Sequence, residues 1–291
     1  MKKNKIFISG SNGFVGKHFI NLLKNNNFNV KAPNKKELNL NNLKKTKKYI
    51  SNFNPEFIVH LASRTVPNIN SKKEFNKQLN NTYIPAENIA LSASKSVKII
   101  IGVGSIEEYG TAKTPFKETF TPLPKSSYGI AKYLSYLQFK NICTEKNIKF
   151  IWLRPSLIFG SGMNSERLIG NFIKHYKLKK NFMLKDPNSI RDHLYVKDFC
   201  KIIFEIIKNH SKFRSDIFNI TSNNHLTNSD LIYKILQNTK NKISIIKKSN
   251  KYNKKSIYVN SGTKINKKLN HFKYTPLKKA LKETFQNEGL I

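Results

Sequence analysis

The run Lys5-Ile6-Phe7-Ile8-Ser9 leads without a break into Gly10-Ser11-Asn12-Gly13-Phe14-Val15-Gly16. An amphipathic stretch follows to about Asn25, with Phe19, Ile20, Leu22 and Leu23 on its apolar side. An apolar strand, three glycines in seven residues and a helix leave few folded solutions. Glycines so spaced allow a tight turn and a close backbone approach, while the helix start offers unpaired N–H groups and a positive dipole end to an anion. The predicted unit is the opening βαβ of a nucleotide-binding sheet, with Gly10, Gly13, Phe14, Val15 and Gly16 facing a pyrophosphate.

The alternation continues along the chain. Strand-like runs fall at 28–32, 56–62, 97–105 and 149–156, separated by helical patterns at 41–51, 74–95 and 126–146. Strands that are apolar throughout and alternate with helices predict an α/β fold, a doubly wound, Rossmann-type parallel sheet covered on both faces. We expect a sheet of seven strands over 1–155, rejoined by 191–208, which reads as a returning helix. The smaller C-terminal α/β region, 156–190 and 209–291, contains strand-like 217–221 and 256–260 and is expected to bind the substrate. The active-site cleft is then expected at the carboxyl ends of the strands.

Composition excludes some partners. The 291 residues include 53 Lys+Arg against 17 Asp+Glu, a formal charge of +36, which invites a nucleic-acid reading. Only Arg64, Arg154, Arg167, Arg191 and Arg214 are arginines, however, and the lysines spread over the whole chain. Base-reading proteins rely on arginine for bidentate and stacked contacts, so the charge reads as lysine-rich compositional background. No apolar run approaches the ~20 residues that span a bilayer, and the N-terminus lacks the apolar core of a secretory signal. Cys143 and Cys200 form neither a disulfide framework nor a metal-ligand spacing. They read as buried apolar residues of a cytoplasmic protein, and no metal is expected.

The chemistry-bearing residues lie further on. Gly104-Ser105-Ile106-Glu107-Glu108-Tyr109-Gly110 follows the 97–105 strand, and Tyr128-Gly129-Ile130-Ala131-Lys132 comes eighteen residues after Gly110. Tyr128 and Lys132, four residues apart, share one helix face. A nearby ammonium lowers a phenol pKa toward a range useful for exchanging a proton with a substrate hydroxyl or carbonyl. A serine at the neighbouring strand end can hydrogen-bond the same oxygen.

These motifs, in this order, resemble the extended short-chain dehydrogenase/reductases of the NAD(P)-dependent sugar-nucleotide epimerase/dehydratase/reductase family. The resemblance extends through HLA at 60–62, LRP at 153–155, Phe159-Gly160, RDHLYVKD at 191–198, FNITSNNHLTNSDL and the closing TPLKKALKET. It implies that Tyr128 is the acid/base, Lys132 its electrostatic partner and a ligand of the nicotinamide ribose, and Ser105 a ligand of the sugar oxygen. Leu61, Ala62 and Pro155 would line the cofactor. Arg191 and Glu107 would face the nucleotide-sugar substrate. Bland alternatives stand beside these roles: Arg191 could pair with Asp192 or Asp198, and Glu107 and Glu108 could be solvated loop charges. His60, His193 and Trp152 read as structural.

The resemblance also bears on cofactor and reaction. No carboxylate precedes Glu37 after the second strand, where NAD-preferring members carry one, and Lys35 and Lys36 fall where a 2′-phosphate would sit, so NADP(H) is favoured over NAD(H). Ile106 replaces the acid of the 4,6-dehydratases, and Leu157 replaces the asparagine of the 4-epimerases. The reaction least contradicted is reduction of a nucleoside-diphosphate 4-keto-6-deoxy-hexose at C4 for surface polysaccharide. The alternatives are an NAD-dependent epimerase or dehydratase, or a non-catalytic cofactor-binding regulator or RNA-associated protein of the same fold. A homodimer is expected through the helices at 74–95 and 126–146, with Leu134, Leu137 and Ile142 on the shared face or, equally, on the sheet.

Overall fold

The computed structural model describes residues 3–24, 26–65, 71–237, 239, 243–247 and 256–291. The N-terminal half alternates strand and helix: β1 (Asn4–Ser9), α1 (Phe14–Lys24), β2 (Phe28–Lys31), α2 (Leu43–Phe53), β3 (Phe57–His60), α3 (Lys72–Gln78), α4 (Ile84–Ser92), β4 (Ile99–Val103), α5 (Ser127–Glu145) and β5 (Phe150–Pro155). There follow β6 (Leu157–Phe159), α6 (Leu168–Lys177), β7 (Phe182–Leu184), β8 (Ile190–Tyr195), α7 (Val196–Lys208), β9 (Asp216–Ile220), β10 (His225–Thr227), α8 (Asn228–Leu236), β11 (Ile245–Lys247), β12 (Ile257–Tyr258), α9 (Thr263–Lys268) and α10 (Leu277–Asn287).

The main sheet has six strands in the order β2-β1-β3-β4-β5-β9, and its neighbours from β2 through β5 pair in parallel. β3 and β5 are buried along their whole length, which is why they read as unbroken apolar runs. On one side Phe7, Ile58, Ile100 and Trp152 pack against Ile50 of α2, Ile89 of α4 and Phe139 and Ile142 of α5. On the other, Phe28 meets Phe204 of α7 edge to face, and Cys200 reaches the Val15 carbonyl.

Local chemistry sets the helix boundaries. Asn42 caps α2 by accepting from the Lys45 N–H, and Asn54 ends it in the left-handed conformation. Ser126 caps α5 by accepting from the Gly129 N–H. The single helix expected at 74–95 is instead α3, a π-helical turn at Leu79–Tyr83, and α4. Pro85 lacks an N–H and crowds the preceding turn, and at this point the ladder widens so that the Ile84 N–H bonds to Leu79.

The chain forms two compact units. The first comprises Met1–Lys113, Glu118–Pro155 and Cys200–Asn219, and the second Thr114–Lys117, Ser156–Phe199 and Ile220–Ile291. Three expectations are corrected. Among the described residues the sheet has six strands, not seven, and its edge strand β9 comes from the segment expected in the substrate region. The returning segment is 200–219 rather than 191–208. Residues 190–195 are strand, not helix: β8 pairs with β6, β10 and β12 in the second unit. The periodic apolar face of α7, with Val196, Phe199, Ile203 and Ile206 buried, gave the whole stretch its helical look. Ile142 faces the sheet and leaves the proposed dimer face, whereas Leu137 is exposed. In the second unit β7 and β11 also form a separate parallel pair.

Candidate active site

The glycine turn joins β1 to α1 by close backbone contact. Gly10 sits at φ +75°, and a Cβ there would lie 2.5 Å from the Ala62 nitrogen and 2.7 Å from the Leu61 carbonyl carbon. The Leu61 N–H donates to Ser9 O at 3.1 Å, so β1 and the segment after β3 leave together. The Gly13 N–H donates back to Gly10 O at 3.0 Å. Gly16 starts the buried side of α1, and Phe14 and Val15 are half-buried, the Phe14 ring lying edge-on to His18.

A cavity opens over this turn, lined by Ser9–Gly13, Pro33–Lys35, Leu38–Asn41, Ala62, Asn80, Asn81 and Pro85. Ser11 Oγ donates to Pro33 O and holds the end of β2 against the turn. Asn34 Oδ1 accepts from the Lys36 and Glu37 N–H groups, while the Glu37 carboxylate accepts the Asn34 N–H at 2.8 Å. Lys35 lines the cavity and Lys36 is exposed beside it. Backbone donors, a helix start and a lysine at one end suit a phosphate-bearing nucleotide, and the Cβ-free surface at Gly13 leaves space for it.

At the carboxyl end of β4, Ser105 caps a short 3-10 turn, Ile106–Glu108, its Oγ accepting from the Glu107 N–H at 3.2 Å. A Cβ on Gly129 would lie 2.5 Å from Glu107 O, so the first turn of α5 rests directly on the serine turn. Tyr128 and Ser105 are each 8 % exposed and Lys132 is 4 %. The Lys132 Nζ lies 5.9 Å from the Tyr128 ring centroid and donates to Val103 O at 2.5 Å. Ser105, Tyr128 and Lys132 are thus gathered at one strand end. Burial pulls the Lys132 ammonium down to about 8, against which the charge of Glu108 pushes it up. Glu107 is half-buried on the same turn, and Pro155 is buried at the end of β5.

Beneath the turn lies a constellation that sequence reasoning missed. The fully buried Glu108 accepts from the Ser105 N–H (2.9 Å) and the Trp152 indole N–H (3.0 Å) through Oε1, and from Arg154 Nε (2.7 Å) through Oε2. The Arg154 guanidinium lies over the rings of Tyr109 and Tyr136, at 4.7 Å and 5.4 Å. Tyr109 Oη in turn donates to Asn219. Of the two readings left open for Glu108, the solvated one is corrected. An arginine inside an otherwise apolar strand was the available signal, because a buried guanidinium requires a buried partner.

His60 is buried as expected, its Nδ1 2.7 Å from Ser9 Oγ, with its pKa lowered to about 3 by burial and then by Lys132. In the second unit the Arg191 guanidinium donates to Ile190 O, Ser256 O and Ser256 Oγ and lies over Tyr258. The Asp192 carboxylate accepts from Thr221, Ser222 and Asn224, and Asp198 from Thr275. His193 is buried, which lowers its pKa to about 4. Cys143 and Cys200 are buried thiols pushed up to about 12. Among the described residues no cluster of three metal-capable side chains occurs, and no helix is long and apolar enough to cross a membrane.

The chain is similar to several known proteins. GDP-6-deoxy-D-talose 4-dehydrogenase of Aggregatibacter actinomycetemcomitans is 31% identical over 214 residues, 70% of this chain and 70% of that protein. dTDP-4-dehydro-6-deoxyglucose reductase of Escherichia coli is 28% identical over 262 residues, 79% of this chain and 80% of the relative. In fold, the chain resembles UDP-glucuronic acid 4-epimerase of Bacillus cereus, with a TM-score of 0.87 at 16% identity, over 98% of this chain and 99% of the other. The profile of the NAD dependent epimerase/dehydratase family matches residues 6–221, and the chain belongs to that family.

Proposed function

We propose that this enzyme reduces the 4-keto group of a nucleoside-diphosphate 6-deoxy-hexose. The observation that carries the reading is the gathering of Ser105, Tyr128 and Lys132 at the end of β4, beside an Ile106 that removes the acid needed for dehydration. Both relatives, a GDP-6-deoxy-D-talose 4-dehydrogenase and a dTDP-4-dehydro-6-deoxyglucose reductase, are named for chemistry at the 4-position of a 6-deoxy-hexose, which supports the substrate class. Leu157, in place of the asparagine of the 4-epimerases, argues against epimerisation.

A reduced nicotinamide, once bound, would supply the hydride for C4. The Tyr128 phenol then protonates the developing alkoxide, the Lys132 ammonium stabilises the phenolate left behind, and Ser105 Oγ donates to the same oxygen. Gly10, Gly13, Phe14, Val15 and Gly16 would hold the pyrophosphate, while Leu61, Ala62 and Pro155 would line the dinucleotide. Glu107 contacts the sugar nucleotide. Lys35 at the cavity edge favours a 2′-phosphate, hence NADP(H), since Glu37 is engaged with the Asn34 N–H.

The test follows nicotinamide absorbance over a panel of 4-keto sugar nucleotides with NADPH and NADH at equal concentration. Turnover of a 4-keto-6-deoxy-hexose that Tyr128→Phe abolishes is expected. Full turnover by that variant sinks the mechanism, and a preference for NADH sinks the cofactor reading.

A further inference from the structure

The Glu108 carboxylate lies under the catalytic turn, and three donors from two elements converge on it: the Ser105 amide after β4, and the Trp152 indole and Arg154 guanidinium of β5. Gly104 carries no Cβ, and a Cβ there would strike the Glu108 carboxylate and the Trp152 indole. The backbone that carries Ser105 is therefore wrapped onto this carboxylate without a spacer. The Arg154 side chain is 1% exposed and that of Glu108 0%, so water does not screen the pair.

We propose that Glu108 is a positioning residue of the reaction, holding the Ser105 turn by its amide and supplying the buried negative charge against which the Tyr128–Lys132 pair works. The proposal rests on the assignment of Ser105, Tyr128 and Lys132 to catalysis. Its charge component follows from what surrounds the Lys132 ammonium. Tyr128 shares its helix, the Val103 carbonyl approaches from β4, the neutral imidazole of His60 lies on β3, and the anion that acts on it is Glu108, itself paired with the Arg154 guanidinium at 2.7 Å, so that removing the carboxylate also leaves that cation uncompensated. An anion raises the pKa of every acid near it. Its loss therefore moves a coupled phenol–ammonium pair in one direction, whichever member titrates.

Glu108→Gln keeps the volume and an acceptor for the Ser105 amide but removes the charge. We expect kcat to fall by on the order of 10- to 100-fold, with the dissociation constant of NADPH nearly unchanged. The alkaline limb of kcat/KM against pH is expected to move down by about half a unit to one unit. Trp152→Phe removes one donor from the same carboxylate without touching its charge, and is expected to lower the melting temperature while leaving that limb in place. If Glu108→Gln does not fold, Glu108→Asp serves. It keeps the charge but withdraws the carboxylate from the Ser105 amide, so kcat falls and the limb stays.

Parental kcat and an unmoved limb in Glu108→Gln overturn the proposal, as does parental kcat in the aspartate variant. Both outcomes are read beside Tyr128→Phe. An inactive tyrosine variant with an unaffected Glu108 variant defeats only this proposal, whereas an active tyrosine variant defeats the catalytic assignment beneath it.

Discussion

The two glycines of the turn after β1 separate folding from binding, and substituting each tests that division. At Gly10 an alanine meets two costs. The left-handed backbone, φ +75°, costs an L-residue about 1–2 kcal/mol. The added Cβ would also stand 2.5 Å from the Ala62 nitrogen and 2.8 Å from its Cα, both backbone atoms that cannot rotate away. Relief requires the segment after β3 to move off β1, against the Leu61–Ser9 hydrogen bond, an overpacking cost of about 1–3 kcal/mol. Gly10→Ala is therefore expected to lose about 2–5 kcal/mol, a large part of the ~5–15 kcal/mol that stabilises an ordinary domain.

At Gly13 a Cβ meets a single atom within 4 Å, the Gly10 oxygen at 3.1 Å, and the backbone is not left-handed. Gly13→Ala is expected to cost under about 1 kcal/mol, while its methyl occupies the cavity surface where a phosphate would rest. The chain's one tryptophan, Trp152, is buried in the first unit, so its fluorescence in urea reports the unfolding of that unit, and titration with NADPH reports binding. The expected pattern is crossed: Gly10→Ala lowers the urea midpoint, and Gly13→Ala keeps it but weakens NADPH binding at least tenfold, about 1.4 kcal/mol. A Gly13 variant that binds like the parent refutes the cradle, and a Gly10 variant with the parental midpoint refutes the close-approach argument.

The same fluorescence assay reads three further outcomes. Burial holds His60 near 3 and His193 near 4 in the folded state, while the unfolded imidazoles titrate near 6.5, so the unfolded chain binds more protons below about pH 6.5. Stability from each neutral imidazole is present above that pH and is lost at about 1.4 kcal/mol per pH unit as pH falls toward the folded values. His60→Gln should flatten the decline between about pH 6 and about pH 5, and a variant with the parental slope contradicts the assignment. The Lys146 Nζ donates to the Ala90, Leu91 and Ala93 carbonyls around the last turn of α4. Lys146→Met keeps the stem but leaves those acceptors without the ammonium, and is expected to cost about 1–3 kcal/mol; parental stability would show that water replaces it freely. With 53 basic against 17 acidic residues the surface repels itself. Raising ionic strength from about 0.01 M to about 0.1 M shortens the screening length from ~30 Å to ~10 Å, so the urea midpoint should rise; a midpoint that falls with salt would mean that surface ion pairs outweigh the repulsion.

What could be read from the chain alone follows the range of the interactions involved. The glycine turn needs only a strand, a few turn residues and a helix start, all contiguous, and Tyr128 and Lys132 share a helix face four residues apart. The Ser105 turn is likewise local, since its cap and its first acceptor lie within three residues. The Glu108–Arg154 pair is not local, because 46 residues separate the partners and nothing beside Glu108 distinguishes it from Glu107. The third of a turn between those neighbours decides that Glu108 is fully buried while Glu107 stays half-buried, and a 3-10 turn has no long period from which to read this. Two indirect signs existed. Arg154 interrupts a strand otherwise made of Phe, Ile, Trp, Leu and Pro, and Gly102 on β4 and Gly104 just past its end leave one face bare where the Trp152 ring and the Glu108 carboxylate fit. β8 was misread for the opposite reason. The strong periodicity of α7 runs backward over a six-residue strand, two of whose polar members, Arg191 and Asp192, bond to Ser256, Thr221 and Ser222, far along the chain. Periodicity identifies a face only where the burying partner is continuous. Where a short strand is held by side-chain hydrogen bonds to distant loops, its pattern carries no period, and the neighbouring helix lends it one.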